Sequence, residues 1–313
     1  MATGTTHNLS ALGKHFSDEN AARELLESLR WPTGAVCPKC GGDNPYKLTP
    51  KATSKAPGRK GLWKCRACRQ QFTVTVGTIF EHSHVPISKW LLAIHLLSAS
   101  KKSMSAHQLH RLLGVTYRAA WFMAHRLRHA MTQEPMQLTG VVEMDETYIG
   151  PRRRRVGRKA NWAAKTPVIA MVERGGRARA FTVATANVPT VNALIKREIA
   201  PGAHLMTDES PIYVPLPIGY KQHETVIHSR KEYVRGNVHT NTVEGFFGLL
   251  KRGIIGSFHH VSKGHLGRYV DEFSFRYNHR TISDGARAAL IVAGAEGKRL
   301  TYREPSKAAG LSA

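Results

Sequence analysis

Acidic side chains are scarce in this 313-residue chain: 22 Asp and Glu stand against 46 Lys and Arg, a formal net charge of +24. So lopsided a balance favours a polyanionic partner. Cysteine is scarcer still, four in all, which excludes a disulfide-stapled secreted scaffold. Long hydrophobic runs are missing as well. The longest candidate, Trp90 to Ala99, is interrupted by His95 and falls short of the ~18 apolar residues that span a bilayer. The opening stretch, MATGTTHNLSALGKHFSDEN, holds no apolar leader segment, so neither secretion nor a membrane partner is expected. What is present, 42% hydrophobic and 22% charged residues, is the composition of a folded globular chain. These observations predict a cytoplasmic protein that handles nucleic acid.

Hydrophobic spacing predicts a helix from Ser17 to Leu29, stopped by Trp31-Pro32, and another from Ile87 to Leu97 with Ile87, Trp90, Leu91, Ile94 and Leu97 on one face. Between them, a turn-rich stretch holds all four cysteines as two CxxC pairs, Cys37/Cys40 and Cys65/Cys68, 24 residues apart. Two such knuckles supply four thiolates for one tetrahedral Zn²⁺, with no open position for catalysis, so the metal is expected to be structural. Two redox dithiols are the alternative. The acid-free loop that carries Lys51, Lys55, Arg59, Lys60, Lys64, Arg66 and Arg69 either faces phosphate or is a solvated loop.

The segment Ser105 to Trp121 has helix-turn-helix form. Ser105 and Thr116 are potential N-caps, Gly114 permits the turn, and Leu109, Leu112, Val115, Ala120 and Phe122 are expected to bury the junction. Tyr117, Arg118, Arg126 and Arg128 are then left to meet DNA, although a helical hairpin that only packs would read the same way.

From Leu138 the period becomes strand-like. Strands are expected at 141–145, 168–172, 180–184, 204–207 and 222–227, with helices at 191–199, 242–251 and 263–277. This is an α/β pattern with an antiparallel start. The tail after Ser283 is Ala/Gly-rich and carries no clear pattern. In a chain poor in acids, Asp145 and Asp208 fall at strand ends and Glu244 in the helix that begins near Thr242. Any lone Asp here reads equally well as a turn or cap residue. Three converging carboxylates, by contrast, would repel one another unless divalent cations neutralised them, and hard oxygen ligands suit Mg²⁺ or Mn²⁺. Two such ions could clamp the attacking and leaving oxygens of a phosphodiester displacement. Lys251, seven residues beyond Glu244, shares its helix face and could hold a DNA phosphate. Arg152, Arg153, Arg154 and Arg155 follow the first acid's strand as a basic loop, either a DNA contact or a solvated segment.

Five motifs carry a family resemblance: Val142–Gly150 (VEMDETYIG), Met206–Ser210 (MTDES), His239–Arg252 (HTNTVEGFFGLLKR), Ser257–Ser262 (SFHHVS) and Tyr269–Asn278 (YVDEFSFRYN). Asp145, Asp208 and Glu244 with Lys251 resemble the DDE catalytic set of transposases and retroviral-type integrases. The order of zinc ribbon, helical DNA-binding segment and DDE domain is similar to one group of prokaryotic insertion-sequence transposases. The resemblance implies a ribonuclease H-like catalytic domain, a mixed sheet with flanking helices. In many such enzymes Tyr and Arg precede the third acid; Asn237 and Thr240 stand there instead, so only the Glu and the Lys carry over. Some relatives use Asn in place of the third acid, which makes Asn241 a rival or companion of Glu244. Glu146 and Glu209, directly after the two aspartates, are expected to point away.

The expected organisation is a helical segment at 1–34, a zinc ribbon at 35–80, a helix-turn-helix-like segment at 85–133, a DDE domain at 138–290 and a tail at 291–313. The implied function is binding of element ends in double-stranded DNA, metal-dependent phosphodiester hydrolysis, and strand transfer into target DNA. One structural Zn²⁺ and two catalytic Mg²⁺ or Mn²⁺ ions are implied. So are a homodimer or larger assembly on DNA and a place at the prokaryotic nucleoid. A DNA-binding regulator that never cuts, or a decayed transposase, is the alternative.

Overall fold

A computed structural model describes residues 9–49, 60–151, 165–220 and 222–301. They fall into two compact units, the first made of residues up to 131 together with a segment from 281, the second running from 132 to 280.

The first unit begins with α1 (Leu9–Ser17) and α2 (Glu19–Arg30). Sequence spacing predicts a single helix from Ser17; instead Asp18 breaks the run, its side chain accepting the Asn20 amide at 2.8 Å as an N-cap. A three-stranded antiparallel ribbon follows, β1 (Pro45–Leu48), β2 (Leu62–Cys65) and β3 (Gln71–Phe72). Trp31, just past α2, packs edge-on against Trp63 and Phe72, ring centroids 5.8 and 6.0 Å away. Then come α3 (Ile87–Ala99), α4 (Ala106–Leu113) and α5 (Tyr117–Ala130). The apolar face expected of α3 is buried. Its first amides, at Ile87 and Ser88, donate to the Glu19 carboxylate at 2.8 and 3.1 Å, which ties α2 to α3.

The helix-turn-helix has the expected caps. Ser105 and Gln108 form a reciprocal capping box on α4, Gly114 takes the left-handed conformation (φ +57°) that ends it, and Thr116 caps α5. The expected core holds only in part: Leu109 and Ala120 are buried, Val115 and Phe122 are half-buried, and Leu112 is exposed, with Leu113 buried in its place.

The second unit is built on a five-stranded mixed sheet. Its strands are β4 (Val141–Ile149), β5 (Thr166–Glu173), β6 (Ala178–Thr182), β7 (His204–Asp208) and β8 (His223–Val226), in the order β6-β5-β4-β7-β8. The β4-β5-β6 meander is antiparallel. The crossover through α6 (Val188–Glu198) makes β7 parallel to β4, and β8 continues parallel. β5 is buried on both faces, hence its unbroken apolar run. A short ribbon of β9 (Val234–Arg235) and β10 (Val238–His239) leads into α7 (Asn241–Gly253), and α8 (Lys263–Asn278) follows.

Helices cover both sheet faces. Val243, Phe246, Phe247 and Leu250 of α7 join Leu266, Val270 and Phe273 of α8 over Val168, Ala170 and Val172. Val191, Leu194 and Ile195 of α6 cover Val142, Met144, Ile169 and Met171 on the other face. A Cβ on Gly253 would lie 1.9 Å from the Phe273 ring, so glycine is what lets the end of α7 approach α8. This is the mixed sheet with flanking helices expected from the sequence.

The C-terminal boundary differs from expectation. The second unit stops at Arg280 rather than 290, and α9 (Asp284–Ala293), lying within the stretch that carries no clear pattern, packs on α3 in the first unit. Beyond it, Glu296 pairs with Arg30 at 2.9 Å, and the Gly297 amide donates to the Gly77 carbonyl at 2.9 Å. The N-terminal helices, the ribbon and the helix-turn-helix thus form one unit with this returning segment rather than separate domains.

Candidate active site

One tight cluster of metal-ligating residues and one looser group of acids emerge. In the first unit, the ligand atoms of Cys37, Cys40, Cys65 and Cys68 all lie within 4.8 Å of one another. Sulfur–sulfur distances are 3.7 Å for Cys37–Cys68 and 3.6 Å for Cys40–Cys65. A tetrahedron of four thiolates on Zn²⁺, with bonds of about 2.3 Å, has edges of about 3.8 Å, so the four residues fit that ion. The Gly42 amide favours the Cys40 thiolate, but crowding against Cys68, Cys65 and Cys37 outweighs it and pushes the thiol up to about 12. The Cys68 amide brings Cys65 down to about 7. Four thiolates this close need a cation among them, and all four are free of disulfides.

The second cluster lies in the second unit. The parallel pairing of β4 with β7 ends at Glu143↔Met206, and two residues further along each strand stand Asp145 and Asp208. The sequence reading puts Asp145 at a strand end. In fact β4 runs on to Ile149 against β5, and Asp145 sits where β7 parts from it. A crevice beyond the carboxyl end of parallel strands is a recurrent place for ligands. Burial, opposed by the Glu146 amide that donates to Asp145 at 2.7 Å, raises the Asp145 carboxyl to about 7, and the negative charges of Glu146, Asp208 and Glu244 add to the rise. Burial likewise raises Asp208, although the Ser210 amide donates to it at 3.0 Å. Glu244 is exposed in the first turn of α7 and accepts from the Thr240 hydroxyl at 3.1 Å. The three expected acids are therefore electrostatic neighbours. They do not close into a cluster as tight as the thiols, which form the one such group among the described residues.

The other candidates are placed as follows. Asn241 opens α7, exposed, three residues before Glu244. Lys251, also exposed, holds its ammonium 5.9 Å from the Phe247 ring centroid. It lines a 450 Å³ groove with Tyr148, Lys165, Ile255, His259 and His260. Glu209 accepts the His228 and Ser229 amides at 2.8 and 2.9 Å, and its charge adds to the rise at Asp208. Glu146 instead accepts from the buried Tyr213 phenol, and its carboxyl is raised first by burial and then by the charge of Asp208.

Sequence reasoning treats Glu143 only as a strand residue, yet it is fully buried beside the acids. One of its oxygens, Oε2, accepts the amides of Thr242 and Val243 at 2.6 and 3.1 Å. The other, Oε1, accepts the Thr242 hydroxyl at 2.8 Å and Arg174 Nε at 2.6 Å, with His239 Nδ1 at 3.1 Å. A signal was present: a carboxylate two residues before Asp145, on the same strand face, in an otherwise apolar run.

Comparison with known proteins matches residues 137–278 to the ISXO2-like transposase domain and residues 17–71 to the transposase zinc-ribbon domain. The chain carries the zinc ribbon and the DDE domain of an insertion-sequence transposase. It is also 29% identical over 280 residues to a protein in transposable element ISH50 of Halobacterium salinarum, covering 84% of this chain and 92% of that one. A chain in the structure of the simian T-cell lymphotropic virus intasome with the PP2A regulatory subunit B56 gamma aligns at 13% identity. That alignment covers 59% of this chain and 65% of that one, and its TM-score of 0.27 is too low to carry an argument. No helix among the described residues is long and apolar enough to cross a membrane.

The expected DNA contacts of this transposase-type chain divide unevenly. Arg118 is exposed at the start of α5, beside Tyr117, whose ring lies 4.4 Å from that of His107. Arg126 and Arg128 are corrected: both are buried, at 7% and 2% exposure. Arg126 stacks over Phe122 at 4.7 Å and donates to the Leu300 carbonyl at 3.2 Å. The second half of α5 is a core helix, with Met123, Ala124, Leu127 and Ala130 buried around these arginines. Arg152, Arg153, Arg154 and Arg155 lie outside the described residues.

Proposed function

We propose that this chain is the DNA transposase of an insertion sequence. In this reading the zinc-ribbon unit binds the element ends, and the DDE domain hydrolyses a phosphodiester there and joins the freed 3′ end to target DNA. The observation that carries the reading is the register that sets Asp145 level with Asp208 just past the last β4–β7 pair, with the Asp145 carboxyl raised to about 7 by burial first and then by the charges of Glu146, Asp208 and Glu244. Such a cluster is unfavourable alone and suited to divalent cations. Asp145, Asp208 and Glu244 would hold Mg²⁺ or Mn²⁺, with Asn241 as companion or rival of Glu244. A bound ion pair of that kind supplies charge stabilisation and a deprotonated oxygen nucleophile.

The chain's own residues do the rest. Asp145 would give up its proton in holding an ion. The Thr240 hydroxyl, 3.1 Å from Glu244, orients the third carboxylate, and Lys251 meets a DNA phosphate along the groove it lines. Arg118 and the arginines at 152–155 contact the duplex, and joining two ends requires at least a homodimer on DNA, at the nucleoid of a prokaryotic cell.

The test is cleavage of a plasmid that carries the gene with its native flanks, in Mg²⁺ or Mn²⁺. Asp145→Ala, Asp208→Ala and Glu244→Ala should each lower cleavage by about 10³-fold or more and leave DNA binding unchanged. Retained cleavage in either aspartate variant sinks the reading, and comparing Asn241→Ala with Glu244→Ala assigns the third ligand.

A further inference from the structure

The catalytic helix α7 lacks a cap of its own. Thr240, at the N-cap position, gives no side-chain hydrogen bond to the helix's first amides; its hydroxyl is turned to Glu244. The Thr242 and Val243 amides are satisfied instead from the neighbouring strand, by Glu143 Oε2 at 2.6 and 3.1 Å. Glu143 is fully buried, and a carboxylate there is tolerable only if paired and hydrogen-bonded. Arg174, just beyond β5, supplies the charge at 2.6 Å. Its guanidinium also donates to the Asn237 carbonyl at 2.7 Å, the Asn237 side chain at 2.8 Å and the His239 carbonyl at 2.9 Å. The ion pair of buried Glu143 with half-buried Arg174 thereby anchors the approach to α7 and its first turn to the strand that carries Asp145.

We propose that Glu143 is a positioning residue: it caps α7 from β4 and sets Glu244 in register with Asp145. Glu143 and Asp145 share one face of β4, and Glu244 is one residue past the second capped amide, so the cap couples two of the three acids through a rigid path. A negative charge at a helix N-terminus is itself favourable. Arg174 balances the charge on the other side, which keeps Glu143 distinct from the three acids proposed to face the metal. The inference rests on the transposase reading of those acids.

The test uses the full-length, zinc-loaded protein and two readouts that need no activity. These are hydrogen exchange at residues 240–246 and Mn²⁺ affinity, read from the electron paramagnetic resonance of free Mn²⁺. Glu143→Gln should speed exchange at Thr242 and Val243 by about tenfold and weaken Mn²⁺ binding by about tenfold, the scale of one lost charge-assisted cap. Thr242→Val keeps the buried charge and removes only the 2.8 Å hydroxyl bond. It should shift both readouts by about threefold, and it carries the test if Glu143→Gln does not fold. Faster exchange with unchanged Mn²⁺ affinity would reduce Glu143 to a structural cap and overturn the positioning role; no change in either readout would overturn the cap itself. Wild-type protein that binds no Mn²⁺ contradicts the metal site and the positioning role with it, whereas wild-type binding matched by both variants contradicts the positioning role alone.

Discussion

The thiol cluster and the carboxylate cluster of this one chain are built in opposite ways. The four sulfurs come from a stretch between Cys37 and Cys68, on knuckles beside a small ribbon, and gather within 4.8 Å. Asp145, Asp208 and Glu244 come from a strand interior, a strand end and a helix, and meet only because a crossover puts β7 beside β4 and α7 packs across the sheet. The first arrangement is closed and local, the second open and dependent on the whole sheet. A closed set of soft ligands holds an ion for folding; an open set of hard oxygens leaves room for water and a phosphate. Burial raises the Asp145 and Asp208 carboxyls in the folded chain, and perturbed carboxyls of this kind are concentrated at functional sites.

The comparison breaks most visibly at the ribbon. Cys65→Ser should abolish stoichiometric zinc and unfold residues 37–72, since a structural zinc site supplies on the order of 10 kcal/mol of folding free energy. Metal analysis and hydrogen exchange check it, and an ordered, zinc-free ribbon would remove the structural role of the ion.

The acids should respond in the opposite sense. A carboxyl raised in the folded state holds a proton that the unfolded chain has already lost. Metal-free stability should therefore fall as pH rises from about 4 to about 7, and then level off. Asp145→Asn removes that penalty and should stabilise the metal-free protein at pH 8 by about 2–4 kcal/mol in urea titrations, while Mn²⁺ binding is lost. A destabilised Asp145→Asn protein would mean that the aspartate is satisfied without metal. A smaller effect follows from the same group. Mn²⁺ must displace the Asp145 proton, so its affinity should drop about tenfold between pH 8 and pH 6. The last comparison concerns the helix-turn-helix. Leu113→Ala should cost about 2–4 kcal/mol, but exposed Leu112→Ala no more than about 0.5 kcal/mol, in thermal melts.

What could be read in advance follows the same division. The paired cysteines, the capped helix-turn-helix and the order of strands were legible because each signal is local: ligand spacing, a Ser/Gln capping box around Gly114, alternating or continuous apolar runs. The three acids were legible as candidates because acids are rare here, and their convergence was supplied by the family resemblance rather than by spacing. Arg126 and Arg128 were misread because charge alone does not reveal that Met123, Ala124 and Leu127 carry that half of α5 into the core. The helix α9 was missed because its alanines give little periodic contrast, although Ser283 caps it through the Ala286 amide at 3.2 Å. Glu143 was missed because its partners, Arg174, His239 and Thr242, lie 31 to 99 residues away, and only the folded sheet brings them together.

The central claim is that the Asp145, Asp208 and Glu244 cluster cuts DNA when loaded with a divalent cation. Incubating supercoiled plasmid that carries the gene and its flanks with wild-type and Asp208→Asn protein, in Mg²⁺, Mn²⁺ and EDTA, tests it most directly. The expected result is metal-dependent cleavage at the two ends of the element, absent in EDTA and absent in Asp208→Asn, with both proteins binding the ends equally. Cleavage that survives Asp208→Asn, or end binding with no cleavage by the wild type in either metal, would contradict it.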